Sequence, residues 1–305
     1  MSTRQNTAPI VLFVYNRPKH TRQAIEALAA NYLSNESELF IYSDAPKDQQ
    51  ISERVEAVRS LIKDIQGFKS VTIIERDSNW GLANSIIDGV TNIINQYGRV
   101  IVLEDDIVVS PYFLNFINGA LDYYINEKQV WHISGWNYPV NPEGLEDAFF
   151  WRTMNCWGWA TWKDRWQYFE KDANKLIADF NKNDIFRFNV NGTENMWGQV
   201  LKNESGKINT WAIFWYASIF KNKGLCMNPT VSFVRNIGFD GTGVHCGNTS
   251  SFSNNILLEK DINFSTILIK EDIDALKRIV EFNKKQKRSF FYKGINKLFR
   301  LFKIK

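Results

Sequence analysis

The chain has 305 residues, 44% of them hydrophobic, and a formal net charge of +4, which indicates a soluble globular protein with one large domain or two small ones. The polar start Met1–Ala8 and the lack of any apolar run of about 18 residues exclude a recognisable signal peptide or spanning helix. The three cysteines, Cys156, Cys226 and Cys246, fit neither a disulfide framework nor a zinc site. We therefore predict reduced thiols and a cytoplasmic protein.

The first half of the chain alternates between strand patterns and helix patterns. Short apolar runs predict four strands, at residues 9–15, 39–42, 71–74 and 99–103. Apolar residues at helical spacing predict three intervening helices, within residues 25–33, 51–65 and 79–96. This order predicts an α/β fold with right-handed crossovers and a mostly parallel sheet that is flanked by helices.

The second half differs in composition, because eight of the eleven tryptophans lie between Trp131 and Trp197. Helices are predicted near residues 196–203 and 210–222, followed by a strand near residues 225–227 and an irregular segment over residues 236–248.

No low-complexity linker divides the chain, so we expect one fused unit. Residues 1–130 would form a nucleotide-binding half and residues 131–250 an aromatic-rich acceptor half. Residues 251–305 would form a C-terminal helical region.

The last predicted element is a basic amphipathic helix. Residues 284–305 carry nine Lys or Arg and no acid, so the rest of the chain is mildly acidic. Apolar residues recur there at helical spacing, at Phe291, Ile295, Leu298, Phe299 and Phe302. This pattern is typical of a helix on an anionic membrane surface, at the inner face for a cytoplasmic protein. A helix docked on its own domain is the alternative, and RNA binding is a third interpretation.

Polar residues follow all four predicted strands of the first half. They are Asn16-Arg17, Ser43-Asp44, Arg76-Asp77 and Glu104-Asp105-Asp106. Ligands of open α/β sheets bind beyond the carboxyl ends of the strands, so these residues predict a pocket for a charged nucleotide and its metal.

The acidic run carries the metal hypothesis. Adjacent carboxylates repel one another, and such a cluster typically offers hard oxygen ligands to Mn²⁺ or Mg²⁺. We predict Asp106 as the primary ligand, Asp105 near the ribose or a metal-bound water, and Glu104 in local hydrogen bonds. The alternative is a solvated turn that ends at Pro111.

These residues resemble glycosyltransferases of the GT-A fold, most closely the N-acetylglucosaminyltransferase I group. The likeness covers roughly residues 9–247. Its motifs are Tyr15-Asn16-Arg17-Pro18, Asn79-Trp80-Gly81-Leu82-Ala83, Glu104-Asp105-Asp106, and Asn228-Pro229 through Asn236-Ile237-Gly238. The resemblance implies a GT-A, Rossmann-like sheet, a metal-bound nucleotide-sugar donor such as a UDP-sugar, and an inverting single displacement.

Carried over to this sequence, the resemblance defines a donor site. Its expected residues are Val14, Tyr15, Asn16, Arg17, Asp44, Arg76, Asn79, Gly81, Asn84, Glu104 and Asp105. Arg17 could equally be a solvent-facing arginine at a helix start, and Asp44 could be a turn residue.

The general base departs from the pattern of the relatives. They carry it directly after a tryptophan that opens a helix, whereas Trp211 is followed here by Ala212. We predict Glu194 as the first substitute and Asp240 as the second. The alternative for Glu194 is stabilisation of a helix N-terminus.

Two further sets of residues are candidates. His245 follows a Gly-Thr-Gly stretch and is a candidate second metal ligand, with a surface or packing role as the alternative. Sugar-facing candidates are Gly135, Trp136, Trp157, Gly158 and Trp159, because aromatic faces complement sugar rings. Core packing is the alternative for the tryptophans.

The sequence therefore predicts a glycosyltransferase that acts on a glycan or lipid-linked glycan in surface polysaccharide synthesis. Nucleic acid is not an expected partner. One alternative is a noncatalytic glycan- or nucleotide-binding module, which Ala212 makes credible. Another is a sugar-1-phosphate nucleotidyltransferase, although Asn16–His20 replaces the glycine-rich loop expected of that class.

Overall fold

We describe residues 7–241 and 258–302 of a computed structural model, and residues 289–302 by their backbone alone. The strands are β1 (Ile10–Val14), β2 (Glu38–Ser43), β3 (Ser70–Glu75), β4 (Arg99–Glu104), β5 (Ile107–Val109), β6 (Val130–Ser134), β7 (Ala148–Trp151), β8 (Trp159–Trp162), β9 (Leu225–Pro229) and β10 (Val234–Asn236). The helices are α1 (Pro18–Ala29), α2 (Gln49–Ile62), α3 (Gly81–Tyr97), α4 (Phe113–Tyr123), α5 (Lys163–Trp166), α6 (Ala173–Asp179), α7 (Lys182–Phe188), α8 (Trp197–Glu204), α9 (Ala212–Lys221) and α10 (Ile273–Phe302).

One eight-stranded sheet forms the centre of the fold, in the order β3-β2-β1-β4-β8-β6-β9-β7. Its first four strands are all parallel, as predicted from the alternating patterns. Strand β1 is buried along its whole length because helices cover both faces of a parallel sheet, which explains its unbroken apolar run. The predicted α/β fold, with a large central sheet flanked by helices, is confirmed.

The second half of the chain extends the same sheet. Strand β8 lies antiparallel between β4 and β6, and Ala160 is paired with Ile101 on one side and with Ile133 on the other. Strand β9 runs parallel to β6, and β7 pairs antiparallel with β9 at the edge. The two halves are therefore joined by a continuous hydrogen-bonded ladder.

A two-stranded antiparallel sheet, β5 with β10, lies beside the acidic motif. Beyond β10, the backbone N–H of Ile237 donates to the carbonyl oxygen of Asp106 at 2.9 Å. This small sheet therefore brings residues 236–238 over the end of β4.

The tryptophan-rich region mainly forms core. The Trp159 side chain is 1% exposed and stacks between the His132 and Trp211 rings, with ring centroids 5.3 and 5.2 Å away. His132 accepts a bond from Trp215 Nε1 at Nδ1 (3.2 Å), and its Nε2 donates to the Asn155 carbonyl oxygen (2.9 Å). Burial lowers the pKa of His132 to about 3, so the imidazole is neutral.

Helix α10 docks on the acceptor half through its first turns. Asn283 is 3% exposed and donates to Thr193 Oγ1 at 3.3 Å, while the Phe282 ring lies 5.9 Å from that of Tyr138. Arg278 Nη1 donates to the carbonyl oxygens of Asn141 and Glu143. These docking contacts lie before residue 284, so the prediction for the basic tail, residues 284–305, stays a prediction. None of the helices in the described residues has the length and apolarity needed to cross a membrane.

Candidate active site

The acidic motif lies at the carboxyl edge of the parallel strands, as predicted. Glu104 ends β4, while Asp105 and Asp106 form the turn into β5, with side chains 6% and 9% exposed. Arg17, at the N-terminus of α1, reaches them from the end of β1. Its Nη2 lies in close contact with Asp105 Oδ1 and 3.0 Å from Asp106 Oδ2, and its Nε lies 3.4 Å from Asp105 Oδ2.

The charges at this edge are not balanced. Burial raises the pKa of Asp105 to about 6 despite the opposing charge of Arg17. Burial, together with the charges of Asp106 and Asp105, holds the pKa of Glu104 well above its usual range. Burial alone would lower the pKa of Arg17, but the two aspartates outweigh it and raise that pKa further. Two aspartates share one guanidinium and a third carboxyl group lies beside them, so negative charge is crowded at this edge, as it is in a cation site.

Gly238 closes over Asp106. A Cβ atom at this position would overlap Asp106 Oδ2 and lie 3.1 Å from Arg17 Nη1, so only glycine fits there. The Gly238 N–H donates to Asn236 Oδ1 at 2.7 Å, which fixes the local turn.

Asp44 joins the end of β2 to the start of α3. Its carboxylate accepts bonds from the backbone N–H groups of Ala45 (3.0 Å), Trp80 (2.9 Å) and Gly81 (2.8 Å), and from Asn79 Nδ2 (3.1 Å). Gly81 has φ of +71°, which favours glycine at the turn into the helix. Asp44 therefore stabilises the turn into α3. It also lies at the carboxyl edge of the sheet, where the nucleotide is predicted to bind.

The Arg76 side chain packs against the exposed ring of Trp80 at the same edge of the sheet. Its guanidinium lies 3.9 Å from the Trp80 ring centroid and pairs with Asp88, and the Trp80 side chain is 39% exposed. The exposed Asn84 donates to the Trp80 carbonyl oxygen at 3.0 Å.

Among the remaining predicted donor residues, Val14 is buried at the end of β1. Tyr15 and Asn16, which follow it, are partly exposed. Tyr15 Oη accepts a bond from the backbone N–H of Lys47 at 3.2 Å.

A cavity of about 350 Å³ lies in the acceptor half. Its walls are mainly aromatic and apolar and consist of Trp136, Tyr138, Met154, Asn155, Cys156, Trp157, Glu194, Met196, Gln199, Ala212, Ile213, Tyr216 and Phe239. Among these lining residues, which all belong to the described part of the chain, Glu194 carries the one carboxylate. Ala212 lines the same cavity.

The carboxyl group of Glu194 is partly buried in the wall of this cavity. Burial raises its pKa, and the charge of Lys287 on α10 opposes that shift. Glu194 precedes α8 by three residues and lies outside the first turn of that helix, where an acid interacts most strongly with the helix dipole.

The cavity adjoins the acidic motif through consecutive residues. Gly238 covers Asp106, while Phe239 lines the cavity with its ring 5.5 Å from that of Trp157. The Trp157 ring in turn lies 4.4 Å from the Trp136 ring. A ligand that spans both sites would thus pass along residues 238–239.

The predicted sugar-facing residues divide into two groups. Trp136 and Trp157 line the cavity, whereas Trp159 is enclosed in the core and has no surface to offer a sugar. Other side chains fill the space beside Gly135 and Gly158. A Cβ atom on either glycine would lie within 3.2 Å of both Phe113 and Val234. Their small size permits close packing rather than a ligand slot.

Asp240, the second candidate base, lies near the acidic motif rather than in the cavity lining. Its Oδ2 is 3.2 Å from Nε2 of His20, a residue of α1 to which we assign no role from sequence. Because His20 is three residues from Arg17 on α1, helical spacing is the signal that could have indicated it.

His245 lies outside the described residues. Within residues 7–241 and 258–302, no group of three or more His, Cys, Asp or Glu is arranged to hold a metal ion.

Most cavity-lining residues of the acceptor half are not evident from sequence. Ala212 and Tyr216 lie one turn apart on α9, and that i, i+4 spacing is the signal that could have paired them. Tyr138 and Asn155 reach the cavity from loops and carry no comparable pattern.

A comparison with protein families matches the parallel half of the sheet. Residues 10–123 match the family described as Glycosyl transferase family 2. The match spans β1 through α4 and includes Arg17, Asp44 and the whole acidic motif. This part of the chain is therefore similar to glycosyltransferases of that family. No curated protein sequence matches the chain.

Several solved structures are similar to this chain at low sequence identity. TarS of S. aureus is 17% identical over 41% of this chain and 21% of its own, with a TM-score of 0.27. The mannosyltransferase PcManGT from Pyrobaculum calidifontis, in complex with GDP-Man and Mn²⁺, is 9% identical over 72% of this chain and 70% of its own, with a TM-score of 0.39. An active-site mutant of LgtC is 10% identical over 69% and 70%, with a TM-score of 0.36. The alignment thus spans about a fifth of TarS.

Proposed function

We propose that this chain is a metal-dependent glycosyltransferase that moves a sugar from a nucleoside diphosphate, foremost UDP, to a glycan acceptor with inversion. The observation that carries the proposal is the adjacency of two sites. A buried acidic motif lies at the carboxyl edge of a family-matched sheet, and an aromatic cavity with one carboxylate lies directly beside it. The Glu-Asp-Asp motif supports a relationship to the N-acetylglucosaminyltransferase I group.

The acidic motif fits a divalent cation. Its carboxylates are hard oxygen donors, and the positively charged guanidinium of Arg17 already lies between the two aspartates. We propose Asp106 as the ligand, and His245 as a second candidate. A bound Mn²⁺ or Mg²⁺ would supply charge stabilisation for the departing diphosphate.

The residues of the chain provide the other parts of the reaction. Glu194 would accept the proton of the acceptor hydroxyl as that oxygen bonds to the anomeric carbon. The bond from that carbon to the diphosphate breaks, and the diphosphate leaves with the electron pair. Trp136 and Trp157 would hold sugar rings by their faces. Attack from the side opposite the leaving group gives inversion, as in inverting glycosidases.

A panel of nucleotide-sugars tests the proposed function. We expect release of the free nucleoside diphosphate from at least one donor with Mn²⁺, and loss of that release with a chelator. Nucleotide binding without any turnover would favour the noncatalytic alternative. Formation of a nucleotide-sugar from a nucleoside triphosphate and a sugar-1-phosphate would favour the nucleotidyltransferase.

We further propose that the end of α10 binds an anionic membrane surface, which would bring the enzyme to a lipid-linked acceptor at the inner face of the membrane in polysaccharide assembly. Sequence pattern supports this, because residues 289–305 combine five basic residues with apolar residues at helical spacing.

Charge reversal at this end of the chain tests membrane binding. We expect a full-length variant with Lys293→Glu, Lys297→Glu and Arg300→Glu to lose sedimentation with vesicles rich in phosphatidylserine. A control with Lys182→Glu, Lys202→Glu and Lys207→Glu carries the same change in net charge on exposed residues elsewhere. If both variants bind equally well, the helix is not the membrane contact.

A further inference from the structure

We propose that Arg17 acts as the built-in counter-cation of the Asp105–Asp106 pair. A nucleoside diphosphate must bind the Arg17 guanidinium, in place of the aspartates, before a divalent cation binds them strongly. Arg17 would thereby set the order of ligand binding and couple nucleotide binding to metal binding. This inference deepens the proposed function and rests on it.

The contacts of Arg17 place its charge on the oxygens that a cation needs. One nitrogen, Nη2, contacts a carboxylate oxygen of each aspartate, and Nε approaches the second oxygen of Asp105 at 3.4 Å. Both carboxylates are more than nine-tenths buried, and the backbone of Gly238 closes another side of Asp106. A cation that approaches Asp106 therefore competes with the guanidinium for the same oxygen.

The backbone of Arg17 is fixed, whereas its side chain has few contacts that would prevent it from moving. Its backbone is fixed, because its carbonyl oxygen accepts bonds from the N–H and the hydroxyl group of Thr21, both at 2.9 Å. Its guanidinium, by contrast, hydrogen-bonds only to the two aspartates among the described residues, and the side chain is 17% exposed. The side chain can thus change partners without a change in the fold.

A diphosphate is suited to replace the two aspartates as the hydrogen-bonding partner of the Arg17 guanidinium. Arginine binds phosphate oxygens in a bidentate manner, as it binds carboxylates, and the nucleotide brings more negative charge than one aspartate. When Arg17 turns to the phosphates, the aspartates become available to a cation, which the phosphates also attract. Metal and nucleotide should then each strengthen the binding of the other by the same factor.

Calorimetric titration of the full-length chain with Mn²⁺, with and without saturating UDP, tests this coupling. For the wild type we expect weak binding of Mn²⁺ alone and about tenfold or more tighter binding with UDP. Arg17→Gln removes the counter-cation, so Mn²⁺ alone should bind about tenfold tighter than to the wild type, UDP should bind more weakly, and the coupling factor should shrink.

Two further variants sharpen the test. Arg22→Gln, which removes an exposed arginine of the same helix, should match the wild type. Arg17→Lys keeps the charge but not the fork of donors, and should give a coupling factor between those of the wild type and Arg17→Gln.

The outcomes separate this inference from the proposed function. Equal or weaker binding of Mn²⁺ alone to Arg17→Gln than to the wild type, with wild-type coupling intact, would overturn the role of Arg17 alone. Absence of Mn²⁺ binding to the wild type, even with UDP, would overturn the metal-dependent function and this inference with it.

Discussion

Replacement of Asp106 by Asn is expected to abolish Mn²⁺-dependent binding of UDP and the turnover that depends on it. Asp106 is buried, its backbone oxygen is held by Ile237, and Gly238 leaves no room for a substitute ligand from that side. The neutral amide retains the shape of the side chain but loses the negative charge. Because changes to outer-shell partners alone cost about 10–100-fold in metal affinity, we expect a loss of at least about 100-fold here.

Titration of UDP in the presence and absence of Mn²⁺ measures this effect directly. Asp64→Asn, which removes an exposed carboxylate at the end of α2, is the matched control and should bind both ligands as the wild type does. Unchanged Mn²⁺-dependent affinity in Asp106→Asn would remove Asp106 from the metal site.

The second large effect is expected for Glu194→Gln, which should lower turnover by about 100-fold or more while leaving UDP binding nearly unchanged. Glutamine preserves the size of the side chain in the cavity but cannot accept the proton of the acceptor hydroxyl. Wild-type turnover should rise with pH through the raised pKa of Glu194, because the ionised carboxylate is the active form. That rise should be missing in the variant.

The pH dependence of folding stability gives an independent measure of the raised pKa of Glu194. A carboxyl group whose pKa is raised on folding stabilises the fold at low pH, and that contribution is lost as the pH rises through the raised pKa. Glu194→Gln should therefore be at least as stable as the wild type at neutral pH in denaturant unfolding. The matched control is Glu204→Gln, at an exposed position on α8, which should keep wild-type turnover. Normal turnover in Glu194→Gln would exclude it as the base.

The parallel half of the sheet was predictable from local patterns. Strand β1 and the interior of β4 are apolar runs because both faces of the parallel sheet are covered there, and the edge strand β3 is recognisable from its shorter apolar pattern. The helices between the strands show clear 3.6-residue periodicity. The antiparallel insertion of β8 was not predictable. Its four residues, Trp-Ala-Thr-Trp, are all buried, and their partners β4 and β6 are distant in sequence.

The part of the candidate site at the ends of the parallel strands was predictable from sequence. The part formed by loops of the acceptor half was not. Arg17 and the acidic motif follow from the rule that ligands bind beyond the carboxyl ends of strands. The sugar-facing prediction for Trp159 was not supported in the same way. The ring lies in the core because β8 is buried on both faces and the ring stacks with His132 and Trp211, and a sequence motif alone does not show which residues face a ligand.

The position of β8 between β4 and β6 also limits how this chain can be divided into fragments. The family match ends at residue 123, yet the hydrogen bonds of β4 are completed by residues 159–162. A fragment that ended near residue 130 would expose an apolar strand edge in the middle of the sheet, which favours aggregation. Exchange of acceptor specificity between such enzymes, in nature or by engineering, therefore requires replacement of loops around a retained β8 rather than a junction between the two halves.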